Sequence, residues 1–304
     1  MRLTALVEYA RSLGCEAAEM AEMADYTSLK IGGPADAYIS VPNEATAAAL
    51  LLRCREKEIP VYLLGNGTNV LVGDRGLRGA VIRLDARHTS PTVRLDGCTV
   101  QCSAGIPLKR LCLYARDKGL SGLEFAYGIP GTVGGAVYMN AGAYDGQMAD
   151  VLVTATGLSA SGVRSTYTDN KLRLGYRHSV FMEEGGMVVS ATVRLRPGDV
   201  GEIGARMEDF MRRRREKQPL EYPSAGSFFK RPQGYYAGAL IEQCGLKGFA
   251  IGGAQVSEKH AGFIVNRGGA TANDVRRLAD HIQERVMREC GIRLEPEVRY
   301  IGEF

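Results

Sequence analysis

No run in this sequence stays apolar over the length a membrane-spanning helix needs, and none of its seven cysteines stands in a Cys-x-x-Cys pair. The first absence makes a soluble, cytoplasmic protein with no membrane partner the expectation. Leu3, Leu6, Val7, Ala10 and Leu13 have helical spacing, but Glu8 and Arg11 interrupt what a signal peptide would keep apolar. The second absence, with the odd count of Cys15, Cys54, Cys98, Cys102, Cys112, Cys244 and Cys290, argues against a disulfide framework and a zinc ribbon, and for free thiols in a reducing compartment. His88, His178, His260 and His281 lack ligand spacing, so no metal is expected. There is no strong excess of one charge either. A net charge of +4 and a pI near 8.6 are too mild to call for nucleic acid, but suit small ligands that carry phosphates. Long-period repeats and low-complexity segments are also missing.

What the chain does have is bulk. With 304 residues, 45% hydrophobic and 24% charged, it can bury a substantial core and should form two or three domains. After the first helix, a glycine-rich turn leads into a strand over Ala37 to Val41. Asn43 is placed to cap a helix over Glu44 to Lys57, with Ala48, Leu51, Leu52 and Arg55 at helical spacing, and Pro60 ends it before a strand over Val61 to Leu64. From Leu84 to Pro197 the pattern is mostly β, with strands over Thr92 to Leu95, Thr99 to Ser103, Val151 to Leu158, Val163 to Tyr167 and Met187 to Leu195. A helix with Pro107 at its first position interrupts them, with Leu108, Leu111, Cys112 and Ala115 on one face. Later come helices over Val200 to Lys217 and Tyr235 to Cys244, strands over Ala254 to Val256 and Ala261 to Val265, and a helix opened by the capping pair Thr271 and Asp274 and closed by Gly291. A last strand runs over Leu294 to Ile301, with Glu297 inside it.

Two glycine-rich segments stand out. Gly65-Asn66-Gly67-Thr68-Asn69 lacks the third glycine and the following helix of a dinucleotide-binding turn, so a Rossmann reading fails. Gly and Asn accept positive φ, however, and let successive backbone N–H groups converge on a phosphate; as a lone motif it reads equally well as a tight turn. The stretch from Gly128 to Tyr144 is dense in small residues, including Gly131, Gly134, Gly135, Ala141 and Gly142, which allow backbone to approach backbone or a flat ligand.

Three further segments place polar groups in compact surroundings: Tyr176-Arg177-His178-Ser179, Ser224-Ala225-Gly226-Ser227-Phe228-Phe229 and Glu295-Pro296-Glu297-Val298. Arg177 offers a cation that keeps its charge, Ser227 a hydroxyl, Glu297 a carboxyl that burial can hold neutral. Taken singly, each has an ordinary reading: a surface charge, a turn hydroxyl, a solvated strand residue.

In order and spacing, these segments with Gln218-Pro219 resemble the successive signatures of the UDP-N-acetylenolpyruvoylglucosamine reductase family over nearly the whole chain. The short interval from Arg177 to the strand ending at Leu195 is similar to the family's shorter type, which lacks a tyrosine-bearing loop over the substrate. The resemblance implies an α+β architecture: a two-domain FAD-binding fold of the flavin oxidase type (residues 1–83 and 84–218) and a third, UDP-sugar-binding α+β domain (219–304), whose last strand may return to the first. It implies FAD on Gly65, Asn66, Gly67, Thr68, Asn69, Ile129, Pro130, Gly131, Gly134, Gly135, Asn140, Ala141 and Gly142, with NADPH as hydride source. It also implies Ser227 as proton donor, Arg177 and Glu297 as stabilisers of an enolate, and Arg214 and Lys217 on the UDP diphosphate. Tyr176, Arg231, Gln255 and Asn266 are further substrate contacts by likeness of position. A monomer is expected. The rival readings are a flavin oxidase of the same fold acting on another alcohol or sugar, and a sugar-nucleotide binding protein without catalysis.

Overall fold

The computed structural model describes residues 2–85 and 94–304. Its α-helices are α1 (Arg2–Ser12), α2 (Glu44–Glu56), α3 (Leu108–Asp117), α4 (Val133–Tyr138), α5 (Val180–Glu184), α6 (Val200–Lys217), α7 (Ala237–Gln243) and α8 (Ala272–Cys290). None is long and apolar enough to cross a membrane. Helices and strands are mixed along the whole chain, which is the α+β pattern expected. The chain divides into two compact units: Met1–Glu19, Ala37–Asn66 and Gly79–Arg213 form one, and Met20–Asp36, Gly67–Arg78 and Arg214–Phe304 the other.

The first unit holds two larger sheets and two short two-stranded ones among the described residues. Strands Glu16–Glu22, Pro34–Val41, Leu77–Leu84 and Val61–Leu63 lie side by side in that order, with a few of their terminal residues counted in the second unit. Val61–Leu63 and Leu77–Leu84 pair in parallel. The strand Glu16–Glu22 buries only Ala21, and its Glu- and Ala-rich sequence favours helix; sheet pairing overrides that preference. The second sheet is antiparallel throughout, in the order Arg164–Thr168, Leu152–Leu158, Met187–Arg194, Thr99–Ser103, Arg94–Asp96. Of the strand expected over Thr92 to Leu95, Thr92 and Val93 lie outside the described residues, as does His88.

Helix faces follow the sequence with two adjustments. Asn43 Oδ1 accepts from Thr46 N at 2.9 Å, the expected cap of α2. Its buried residues, however, are Ala47, Leu50, Leu51 and Cys54, while Leu52 is exposed. A continuous Ala-Leu run offers several apolar faces, and packing rather than pattern selects among them. Pro107 occupies the cap position of α3, not its first turn, because its ψ of 133° is extended; Leu108, Leu111, Cys112 and Ala115 are the buried face, as spaced.

The second unit carries an antiparallel sheet in the order Ser224–Ser227, Phe263–Asn266, Ala254–Val256, Ala250–Ile251, and a parallel pair, Val70–Val72 with Arg299–Ile301. The helix α8 packs Val275, Leu278, Ala279, Ile282 and Val286 into its core. Thr271 and Asp274 make the full capping box, and Gly291 (φ 69°) ends the helix. The final strand is shorter than expected. Only Arg299–Ile301 joins a ladder, and Glu297 precedes it, because Pro296 has no N–H to extend the pairing and bridges to Phe229 instead. The cysteines are free thiols, with Cys244 Sγ 3.8 Å from Cys290 Sγ.

Within the first unit, α6 is moored through Glu124, whose carboxylate is almost fully buried. It accepts from Arg206 Nη2 at 2.7 Å, Ser121 Oγ at 2.8 Å and Gly122 N at 2.7 Å. Burial alone would raise its pKa, but these bonds outweigh burial and hold it below the ordinary glutamate value. A depressed folded-state pKa stabilises the fold above the unfolded value of ~4.3 and is lost as pH falls through the folded one. We therefore expect Glu124→Gln to cost about 2 kcal/mol at neutral pH, with the gap in melting temperature from the wild type closing as pH is lowered below ~4.3. A gap that stays constant with pH would contradict this account.

Candidate active site

In the first unit, the Gly128–Tyr144 stretch is built around a short helix that its paired glycines concealed. Thr132 Oγ1 caps α4 by accepting from Gly135 N at 3.1 Å, and Gly134 N donates to Ala104 O at 2.8 Å. A Cβ on Gly134 would lie 3.0 Å from Ala104 Cβ, so any larger residue would push α4 and the neighbouring chain apart by a few tenths of an ångström. Gly131 O accepts from Leu108 N at 2.9 Å, and Ile129 N donates to Ala126 O at 3.0 Å. Gly65 approaches the same segment: a Cβ there would meet Thr132 Oγ1 at 2.9 Å. The Asn66 amide bridges the two segments outright, its Nδ2 donating to Pro130 O at 3.1 Å.

The downstream end of the stretch reaches Arg177. Asn140, buried and at φ 42°, accepts from Ala149 N at 2.8 Å and donates to Gly175 O at 2.9 Å. Gly175 and His178 exchange backbone hydrogen bonds around a tight turn, with Tyr176 and Arg177 at its corner. Arg177 sits there in the left-handed region, φ 54°, a conformation that costs a non-glycine residue about 1 kcal/mol. Its Nη2 lies 3.5 Å from Gly142 O, and its guanidinium stands 5.0 Å from the centre of the exposed Tyr176 ring. Ser179 Oγ donates to Tyr138 O at 2.6 Å and fixes the far side of the turn. Asn140, Ala141, Gly142, Tyr176 and Arg177 thus form one cluster.

The second unit assembles the other three motifs. Gly67 is at φ 62°, and a Cβ on it would fall 2.1 Å from Tyr26 O, so no other residue fits. Its carbonyl accepts from Ser28 N at 3.0 Å, and Ser28 Oγ donates to Ser224 O at 2.7 Å, joining the Gly-Asn loop to the strand that ends at Ser227. Asn69 Nδ2 donates to Glu297 O at 3.1 Å, and Arg299 N donates to Asn69 O at 3.1 Å. Phe228 O accepts from Glu297 N at 2.8 Å. Residues 69, 227 and 297, far apart in sequence, are therefore held on adjoining backbone, anchored by the buried rings of Phe228 and Phe229. Ser227 is exposed beyond a register shift at Gly226 (φ 81°), whose Cβ direction is open; Glu297 is half-buried.

The remaining substrate candidates are all in this unit. Arg214 and Lys217 lie on the last turn of α6, one half-buried and the other exposed. The Arg231 guanidinium packs 4.0 Å over the Tyr236 ring. Gln255 Nε2 donates to Gly248 O at 3.0 Å. Asn266 is buried: its nitrogen donates to Leu29 O at 3.1 Å and its oxygen accepts from Gly268 N at 2.9 Å.

Residues 218–301 match the family model for the C-terminal domain of UDP-N-acetylenolpyruvoylglucosamine reductase, and residues 35–166 match that of an FAD binding domain. A UDP-N-acetylenolpyruvoylglucosamine reductase from Agathobacter rectalis is 48% identical over 93% of this chain and 93% of its own length. One from Clostridium perfringens is 46% identical over 92% and 91%. This chain belongs to the UDP-N-acetylenolpyruvoylglucosamine reductase family. The crystal structure of the Thermus caldophilus reductase agrees, with a TM-score of 0.79 and 38% identity over 95% of this chain and 99% of that one. Within the matched C-terminal domain fall Ser227, Arg231, Gln255, Asn266 and Glu297, whereas Arg177, Arg214 and Lys217 lie between the two matched segments.

The residues present fit the flavin that the matched domain implies. A Cβ would collide with backbone at Gly67, crowd a neighbour at Gly65 and Gly134, and point into open space at Gly131, so the two segments carry bare main chain at all four positions. Sequence reading missed Thr132, whose threonine ahead of a small-residue helix is a recognisable cap, and Ser28, whose partner Ser224 no local pattern could reveal. Gly67→Ala should deprive the purified protein of most of its flavin, at least a tenfold loss in affinity, since the left-handed conformation alone costs ~1–2 kcal/mol. Flavin absorbance per mole of protein measures it, and a fully loaded variant would show that the loop is not part of the cradle.

Proposed function

We propose that this chain reduces UDP-N-acetylglucosamine enolpyruvate to UDP-N-acetylmuramate, with FAD as its bound cofactor and NADPH as reductant, as a step in making peptidoglycan precursors. Membership in the reductase family supports this reading, and the joining of Ser227 and Glu297 through Phe228 is the observation that carries the site. The chemistry that FAD supplies when bound is hydride transfer, from NADPH and on to the enolpyruvyl double bond. Gly65 to Asn69 would hold its pyrophosphate on backbone N–H groups, and Ile129 to Gly142 would line it.

Three side chains do what remains. Arg177 keeps its charge at any working pH and holds the substrate carboxylate as negative charge spreads onto it. Glu297 serves the same enolate as a hydrogen-bond donor when its carboxyl is neutral; an ionised carboxylate would repel it. Ser227, exposed at the end of its strand, adds the proton to the neighbouring carbon, a task for a weak acid only where the carbon is strongly basic and water is excluded. Arg214 and Lys217 meet the UDP diphosphate, a geometry suited to guanidinium. Tyr176, Arg231 and Gln255 remain sugar-nucleotide contacts. Asn266 has its amide engaged by backbone groups of its own unit, and we assign it to holding those loops.

On the domain level, residues 1–83 and 84–218 are read as the flavin-holding pair and 219–304 as the sugar-nucleotide domain, with Met20–Asp36 and Gly67–Arg78 packed into the unit that contains the latter. We place the enzyme in the cytoplasm as a monomer. Followed anaerobically, flavin absorbance should bleach with NADPH and return only when the enolpyruvyl UDP-sugar is added. Protein that stays colourless after incubation with FAD would overturn the function. In Arg177→Ala, bleaching by NADPH should persist while reoxidation by substrate slows at least ~10²-fold; reoxidation at full rate would remove Arg177 from the chemistry.

A further inference from the structure

Arg83 has no part in the chemistry above, yet it sits at the junction of the two glycine segments. It lies on the strand Leu77–Leu84 among Ala80, Val81, Ile82 and Leu84, all buried, and its own side chain is only 15% exposed. Its Nη2 donates to Asn66 Oδ1 at 2.9 Å. Its Nε lies 3.8 Å from Oδ2 of Asp85, a carboxylate that is 1% exposed; this is an ion pair, too long for a hydrogen bond. A buried ion pair rarely stabilises a fold more than apolar side chains of the same volume would, so its retention here points to geometry rather than stability.

The geometry concerns one amide. Asn66 has a single oxygen and a single nitrogen at the end of its side chain, and with the oxygen held by Arg83 the nitrogen must face the other way, where it meets Pro130 O at 3.1 Å. The series Asp85, Arg83, Asn66, Pro130 therefore runs from the buried carboxylate to the second glycine segment. All four residues belong to the same compact unit.

We propose that Arg83 is a positioning residue for the cofactor cradle: by orienting the Asn66 amide it holds Gly65–Asn66 against Ile129–Gly131 in the binding shape before FAD arrives. The inference rests on the FAD reading above. Without Arg83 the two segments must be ordered at the moment of binding, and the apparent affinity falls by the fraction of protein already in the competent shape.

The test is a double-mutant cycle on the FAD dissociation constant, measured by quenching of flavin fluorescence as apoprotein is titrated in. Arg83→Met and Asn66→Ala should each weaken binding about tenfold, as for a competent fraction reduced to ~0.1. The double variant should be no weaker than the weaker single one, because both remove the same contact. Arg83→Gln, which keeps a donor without the charge, should restore most of the affinity, and Arg83→Lys should not restore more. Effects that multiply, or rescue by Lys and not by Gln, would mean that the cation acts directly on the pyrophosphate and would overturn the proposal. So would an unchanged dissociation constant with only a lower melting temperature. Asn66→Ala leaves Arg83 and Asp85 in place and keeps the test open should Arg83→Met fold poorly. Wild-type apoprotein that binds no FAD would remove the flavin reading and this inference with it.

Discussion

The second unit depends on the bond between Asn69 and the backbone at Glu297. A three-residue parallel pair, Val70–Val72 with Arg299–Ile301, is too short to hold two distant parts of the chain by itself. The Asn69 side chain and carbonyl extend that pairing at its N-terminal end, to Glu297 O and Arg299 N. Beyond the pair, Asp74 accepts from Ala272 N at 2.7 Å and Asn273 N at 2.9 Å, satisfying donors in the first turn of α8 that have no partner inside the helix. The segment from Asn69 to Asp74 is thereby clamped at one end to the backbone of the carboxyl candidate and at the other to the longest helix of its unit. Leu29, Leu71, Phe228 and Val298 bury the join.

The first unit solves a different problem with the same means. Its two glycine-rich segments let backbone approach backbone, but glycine leaves the chain loose. Side-chain amides restore the rigidity that the missing Cβ atoms forgo: Asn66 across to Pro130, Asn140 to Gly175 and Ala149. Asn140 also carries the constraint onward to the turn that holds Arg177 at positive φ. That strain persists because both flanks are fixed, by the Gly175–His178 pair and by Ser179 on Tyr138.

Much of this was legible in the sequence, and what was not has identifiable causes. Caps could be read because they are local: Asn43, Thr271 with Asp274, and Gly291 signal through neighbours three or four residues away. The helix α4 was hidden because Gly134 and Gly135 lower helix propensity, and close packing on Ala104 compensates only in three dimensions. The strand Glu16–Glu22 was hidden by a composition that favours helix, and the buried face of α2 by an apolar run with no unique stripe. Ser227 and Glu297 stand out in the sequence as polar groups in compact segments, and the resemblance gave them their roles. Their common attachment to Phe228 lies on the link from chain to packing, where spacing in sequence has no bearing.

The same contrast sorts the polar residues of the candidate site. Where a side chain has given both its donor and its acceptor to backbone groups, as Asn140 and Asn266 have, it sets the shape of loops and has little left for a ligand. Asn66 is committed in a similar way, its donor to the backbone of Pro130 and its acceptor to the Arg83 side chain, so this asparagine is turned toward its own unit. Ser227 and Lys217, by contrast, are exposed at the end of a strand and of a helix, positions whose backbone is fixed while the side chain faces solvent. Rigid backbone beneath an uncommitted polar end is the arrangement that catalysis by preorganisation demands.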